Sequence, residues 1–101
     1  MVNKVRVKQM INSKGYSVMN HFIITDGNKK ILQSYDSIVA VVDRSAEGSS
    51  RLVLGKHWDY SRTTMKYLNQ FIRQTLGWNT NAQSLRKAIA NNEVDYDNEM
   101  V

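Results

Sequence analysis

The chain has 101 residues and a mass of 11.6 kDa, which is the size of one domain and too short for two separate hydrophobic cores. With 42% hydrophobic and 23% charged residues and no cysteine, the composition excludes a fully disordered chain, disulfides and thiolate metal sites. The formal net charge of +5 favours acidic partners, although a basic surface that serves only solubility is an equal alternative.

The first predicted element is a strand at the N-terminus, where residues alternate in character with a period of two. Val5 and Val7 are predicted to face the core, and Lys4, Arg6 and Lys8 to face solvent. The alternation therefore predicts a strand with one cationic face.

Three further strands are predicted before the polar segment at 45–50. A turn at 12–15 leads to a second strand over 18–25, and Asp26-Gly27 predicts a hairpin to a third strand over 30–35. The aliphatic run Ile38–Val42 is interpreted as a buried strand, with a short helix capped by Ser37 as the alternative. Residues 45–50 are predicted to form a loop before a last strand at 51–54.

Two helices are predicted after residue 58, because the apolar spacing changes from two to about three and a half. Asp59 or Ser61 would cap the first helix, and Gly77 would end it in a left-handed conformation. Its apolar face would consist of Thr64, Leu68, Phe71, Ile72, Thr75 and Leu76. A capping box from Thr80 to Gln83 would open the second helix, whose stripe is Leu85, Ala88 and Ile89.

These elements predict an α+β fold, in which an antiparallel β-meander of four to five strands is followed by two C-terminal helices packed on one face. Residues 1–92 would form this single domain, and 93–101 an acidic, flexible tail. The tail holds four of the nine acids, so residues 1–92 carry 14 cations against 5 anions, a net +9. The predicted core is Val5, Val7, Phe22, Ile24, Ile38, Ala40, Leu52, Leu54, Leu68, Phe71, Ile72, Leu85 and Ile89.

No catalytic or metal site is predicted. His57, Asp59, Tyr60 and Ser61 are hydrolytic residue types, but as neighbours at a strand-to-helix junction they are better explained by capping and packing. An enzyme would need a cleft that combines these groups with distant ones such as His21 or Tyr35. We therefore expect no enzymatic activity, no metal and no cofactor.

A binding surface is predicted on the first helix, where Arg62, Lys66, Asn69 and Arg73 recur at spacings of four, three and four. Tyr67 and Gln70 flank this row, and cations beside aromatic and amide groups suit phosphate contact and base stacking. An ordinary solvated helix face is the alternative. The cationic strand face of Lys4, Arg6 and Lys8 would be a second patch, and nucleic-acid binding is favoured if both lie on one side.

Two segments, QSYDSIVA (33–40) and WDYSRTTMKYLNQF (58–71), resemble small proteins of tailed bacteriophages that carry a domain of unknown function. The resemblance covers most of residues 10–76 and leaves out 77–101. It implies a phage product that acts in a bacterial cell, and it supplies neither catalytic residues nor a ligand.

Together these observations predict a non-enzymatic binding module that engages a host or defence macromolecule through its basic surface. We expect a host or phage protein with an acidic surface as partner, and DNA or RNA is the alternative. The longest aliphatic run has five residues, so no membrane partner is expected, and the host cytoplasm is the expected location. A homodimer formed by an edge strand or by the acidic tail is a further option.

Overall fold

The computed structural model of the protein describes residues 5–44 and 51–100, which form one six-stranded sheet and two helices. The strands are β1 (Val5–Ile11), β2 (Ser17–Asp26), β3 (Lys29–Ser34), β4 (Ser37–Asp43), β5 (Arg51–Gly55) and β6 (Asp95–Asp97). The helices are α1 (Arg62–Leu76) and α2 (Ala82–Ala90). Strands β1 to β5 form an antiparallel meander, and β6 returns after the helices to pair parallel with β5. The predicted α+β class and the strand at 38–42 are confirmed, and the sixth strand was not predicted.

The two tight hairpins differ at their first turn residue. Gly27 turns the chain between β2 and β3 with φ of 59°, a backbone conformation that glycine adopts without strain. Tyr35 occupies the same position between β3 and β4 with φ of 54°, which is costly for a bulky side chain. The predicted loop at 45–50 lies outside the described residues.

The helix ends follow the predicted chemistry with one correction. Ser61, and not Asp59, caps α1, since its Oγ accepts from the Thr64 N–H at 3.1 Å. Gly77 ends α1 with φ of 74°, as predicted. The capping box of α2 begins one residue later than predicted: Asn81 Oδ1 accepts from the Ser84 N–H at 2.8 Å, and Ser84 Oγ accepts from the Asn81 N–H at 2.9 Å.

The core lies between the two helices and one face of the sheet. Seven of the predicted core residues are buried there, namely Ala40, Leu52, Leu54, Leu68, Phe71, Ile72 and Leu85. Eight further residues that the predicted core did not name are also buried, namely Met10, Val18, Leu32, Val39, Val42, Trp58, Tyr67 and Val94. Ile89 is only partly buried against this cluster.

The prediction that β1 buries its valines is wrong. Val5 and Val7 are 59% and 60% exposed, because the register pairs Lys8 with Ile23 on the helix-bearing face and Val7 with Ile24 on the opposite face. We call the sheet face that points away from the helices the outer face. Phe22, Ile24 and Ile38, also predicted as core, lie half-buried on this outer face.

Part of the segment expected to be a flexible tail lies in the sheet. Val94 is buried, and Asp95–Asp97 pairs with Val53–Gly55 as β6. Arg51 and Asp95 form an exposed ion pair at 3.2 Å across these strands.

Candidate functional site

The row of polar side chains predicted on α1 is present on its surface. Arg62, Lys66 and Arg73 are exposed, and Asn69 is half-buried. The two flanking groups have structural roles instead. Tyr67 is 8% exposed with its ring centroid 5.3 Å from Lys66 Nζ, and Gln70 Nε2 donates to the carbonyl of Ile11.

A groove of about 420 Å³ lies beside this row, between α1, the turn after β1 and the segment that joins the helices. We call it the basic groove, and define it by Lys66, Asn69, Arg73, Gln74 and Trp78. The groove is fixed in shape because Thr80 Oγ1 donates to Asn69 Oδ1 at 2.8 Å, which holds the joining segment against the helix. None of the described residues that line the groove is acidic.

Trp78 supplies the aromatic group that Tyr67 cannot. Trp78 is 41% exposed and was not among the predicted binding residues. A signal was present, since an aromatic residue directly after the helix-ending Gly77 is close to the last turn of α1. Cations, amides and an exposed indole in one groove can contact phosphates and stack on a base.

The second predicted cationic patch lies on the same side of the sheet as the helices. Arg6 pairs with Thr25, which pairs with Lys30, and Lys8 pairs with Ile23, so all of these side chains share the helix-bearing face. Lys30 adds a cation that was not predicted, and its Nζ donates to Thr25 Oγ1 at 3.0 Å. Lys4 lies outside the described residues.

A second depression, of about 530 Å³, lies between the β3–β4 turn and the start of α1. It is lined by Ser34, Tyr35, Asp36, Ser37, Val39, His57, Tyr60, Ser61, Thr63 and Thr64. Three of the four hydrolytic residue types noted in the sequence therefore do face a cleft together with Tyr35. The fourth, Asp59, points elsewhere and contacts Arg86 at 3.5 Å.

A chain of hydrogen bonds lies under this cleft. His21 Nδ1 donates to the carbonyl of Met19 at 2.9 Å, so Nε2 is free to accept from Ser34 Oγ at 3.0 Å. Ser34 Oγ also lies 3.3 Å from Thr64 Oγ1, which accepts from Ser61 Oγ at 3.1 Å.

His21 and Ser34 are 1% and 4% exposed, so this chain of hydrogen bonds is largely shielded from solvent. Of the two imidazoles, only that of His57 lines the cleft, whereas that of His21 lies beneath it and bonds to Ser34, which lines the cleft but is only 4% exposed. The arrangement is best explained as a polar joint between β2, β3 and α1.

The described residues contain no group of three His, Asp or Glu side chains placed to hold a metal ion. No helix in the described parts of the chain has both the length and the apolar character needed to cross a membrane.

Comparison with known proteins gives one match. A family of unknown function, DUF8033, matches residues 5–92, which include α2 and so extend beyond the resemblance at 10–76. No curated protein and no solved structure matches the chain. Because the matched region runs from β1 through α2, the chain belongs to the DUF8033 family of unknown function.

Proposed function

We propose that the protein is a non-enzymatic module that binds single-stranded nucleic acid on the helix-bearing side of its sheet. The observation that carries this proposal is the placement of two separate cation sets on one side, the α1 row and the strand residues Arg6, Lys8 and Lys30. Between Arg62 and Arg73 the row runs about 16 Å along the helix axis, enough to follow several phosphates.

The indole of Trp78 favours a single strand over a duplex. Trp78 is 41% exposed in the groove that Lys66 and Arg73 also line, and unpaired bases can stack on an exposed indole whereas paired bases are held in the duplex. The amides of Asn69 and Gln74 in the same groove provide hydrogen-bonding groups for backbone or base edges.

An acidic surface of a host or phage protein is the second candidate partner. It is favoured by the exposure of Arg62, Lys66 and Arg73, since exposed cations complement acids on a protein as well as phosphates. The resemblance of segments 33–40 and 58–71 to phage proteins supports the further proposal that the target belongs to a bacterial host and is met in its cytoplasm.

The test is fluorescence anisotropy with labelled single- and double-stranded DNA and RNA at low and moderate salt. We expect single strands to bind more tightly than duplexes, with affinity that falls steeply as salt rises. Lys66→Glu should weaken binding by about 10-fold or more, and Trp78→Ala should weaken single-strand binding with little change in the salt slope.

Lys87→Glu on α2 is the matched control, because it makes the same charge change at an exposed site outside the basic groove. Equal losses of affinity for Lys66→Glu and Lys87→Glu would show that binding depends on the overall positive charge. That result would contradict binding in the basic groove. Binding to polyglutamate with no binding to any nucleic acid at low salt would instead favour the acidic protein partner.

A further inference from the structure

The outer face of the sheet is apolar where an exposed sheet face is ordinarily polar. Val7, Ile24, Ile31, Val41 and Val53 form one continuous row across five strands, because each is paired with the next in the strand register. Both helices pack on the other face. Val7 is largely exposed and the other four side chains of the row are half-buried, while Met100 lies on this face at Gly55, beyond the Val53 end of the row. An antiparallel sheet with one solvated face normally places polar residues there.

Adjacent positions enlarge this patch. Phe22 and Ile38 belong to the next row of outer-face side chains, in which both are paired with Gln33 between them. Both are half-buried. Val5, at the edge, is 59% exposed. Contiguous apolar patches of this kind on soluble domains mark interaction sites.

A row of charges borders the patch and alternates in sign. Asp26 pairs with Lys29, Lys29 with Asp43, and Asp43 with Arg51, so the four side chains follow one another on the outer face of β2 to β5. The order of signs is minus, plus, minus, plus, and Arg51 at the end of the row also forms the ion pair with Asp95 of β6. A two-fold axis parallel to the strands reverses the order of this row in the second copy. Each charge of one copy then faces a charge of opposite sign on the other, so the surface is complementary to itself.

We propose that two copies of this chain pack their outer faces together as a symmetric dimer. A two-fold axis close to the strand direction, between β3 and β4, places Asp26 of one copy opposite Arg51 of the other. The same axis places Lys29 opposite Asp43, and the aliphatic side chains of β2 and β3 opposite those of β5 and β4. Aligned packing of two twisted sheets is a common arrangement.

The size of the patch sets the strength of this dimer. The four strands β2 to β5 at about 4.8 Å and three side-chain rows about 6.8 Å apart give a face of about 400 Å² per copy, roughly half of a standard interface. Interfaces of this size are typical of weak association, so we expect a dissociation constant in the micromolar range. It does not depend on nucleic-acid binding, which is assigned to the opposite side of the sheet.

Sedimentation velocity of the full chain, free of nucleic acid, tests the proposal from about 1 to 300 µM. We expect a monomer–dimer equilibrium in that range. Val41→Lys, at the centre of the patch, should give monomer throughout, whereas Gln83→Lys on the exposed surface of α2 should leave the equilibrium unchanged. Circular dichroism checks that both variants fold.

A pair of charge variants tests the geometry without changing the apolar patch. In a dimer of the Lys29→Glu variant, the new glutamate of each copy faces Asp43 of the other copy. In a dimer of the Asp43→Lys variant, the new lysine of each copy faces Lys29 of the other. Each variant should therefore weaken self-association by about 10-fold or more. In an equimolar mixture every charge of one variant meets the opposite charge of the other. The mixture should therefore recover the wild-type dimer fraction.

Two results would overturn the proposal. The first is wild-type protein that stays monomeric up to the highest concentration, which would show that the outer face does not bind a second copy. The second is a dimerisation constant that Val41→Lys leaves unchanged, or a dimer fraction that does not rise when the two charge variants are mixed. Either outcome would place any self-association on another surface.

Discussion

At the scale of single residues, three buried polar side chains hold three elements together. His21 on β2, Ser34 on β3 and Thr64 on α1 are enclosed, and no buried side-chain N or O atom among the described residues lacks a partner. The helical spacing predicted that Thr64 lies on the apolar face of α1, but no sequence pattern indicated this joint. Its hydrogen bonds connect residues 13 and 30 positions apart, and such pairs depend on the packing of the whole chain.

Removing the Thr64 hydroxyl should destabilise the protein. Thr64→Val keeps the shape of the side chain but breaks its bonds with Ser34 and Ser61, and we expect a loss of about 1–2 kcal/mol in the free energy of unfolding. Urea denaturation measures this change. Thr63→Val, the same substitution on the exposed neighbour, should change stability by less than about 0.5 kcal/mol. Equal effects of the two variants would show that the joint contributes nothing.

At the scale of elements, strands and helices were predictable because each has a local periodicity and local end signals. Gly77 after α1 and the turn at Gly27 show this, since both positions have the positive φ that favours glycine. What the period cannot show is which face of a strand is covered. In β1 both the valine face and the cationic face satisfy the alternation, and only the position of α1 decides between them.

Met10 and Val7 test that assignment of faces. Met10 is buried under the helices, whereas Val7 is largely exposed. We expect Met10→Ala to cost about 2–5 kcal/mol and Val7→Ala less than about 1 kcal/mol, measured by thermal or urea unfolding at low protein concentration. A larger loss for Val7→Ala than for Met10→Ala would mean that the sheet is covered on the other face.

At the scale of the whole molecule, the basic side and the outer face are separated by the thickness of one sheet. Composition predicted the excess of positive charge, and the helical spacing predicted four residues of the α1 row. Neither could predict the basic groove, because Lys66, Arg73 and Trp78 come together only after α1 ends and the chain turns back. The return of β6 to the sheet was hidden for the same reason, since three acidic-rich residues have no strand pattern of their own.

Deleting residues 93–101 should destabilise the domain although this segment is short and acidic. The deletion removes β6 and the buried Val94, whose burial contributes about 1.5–3 kcal/mol. Differential scanning calorimetry should show a lower Tm than for the full chain. Asp95→Asn is the control, because it removes only the exposed ion pair with Arg51 and should change the Tm little. An unchanged Tm for the deletion would show that β6 does not stabilise the fold.

The placement of groove and outer face on opposite sides of the sheet has a consequence for long polymers. Occupying one surface leaves the other accessible, so a pair of copies joined by their outer faces would hold two basic grooves that point apart. Such a pair could not wrap around one strand, but it could tether two. Long single strands should then condense at protein concentrations above the dimer dissociation constant, and the Lys29→Glu variant should bind them without bringing them together.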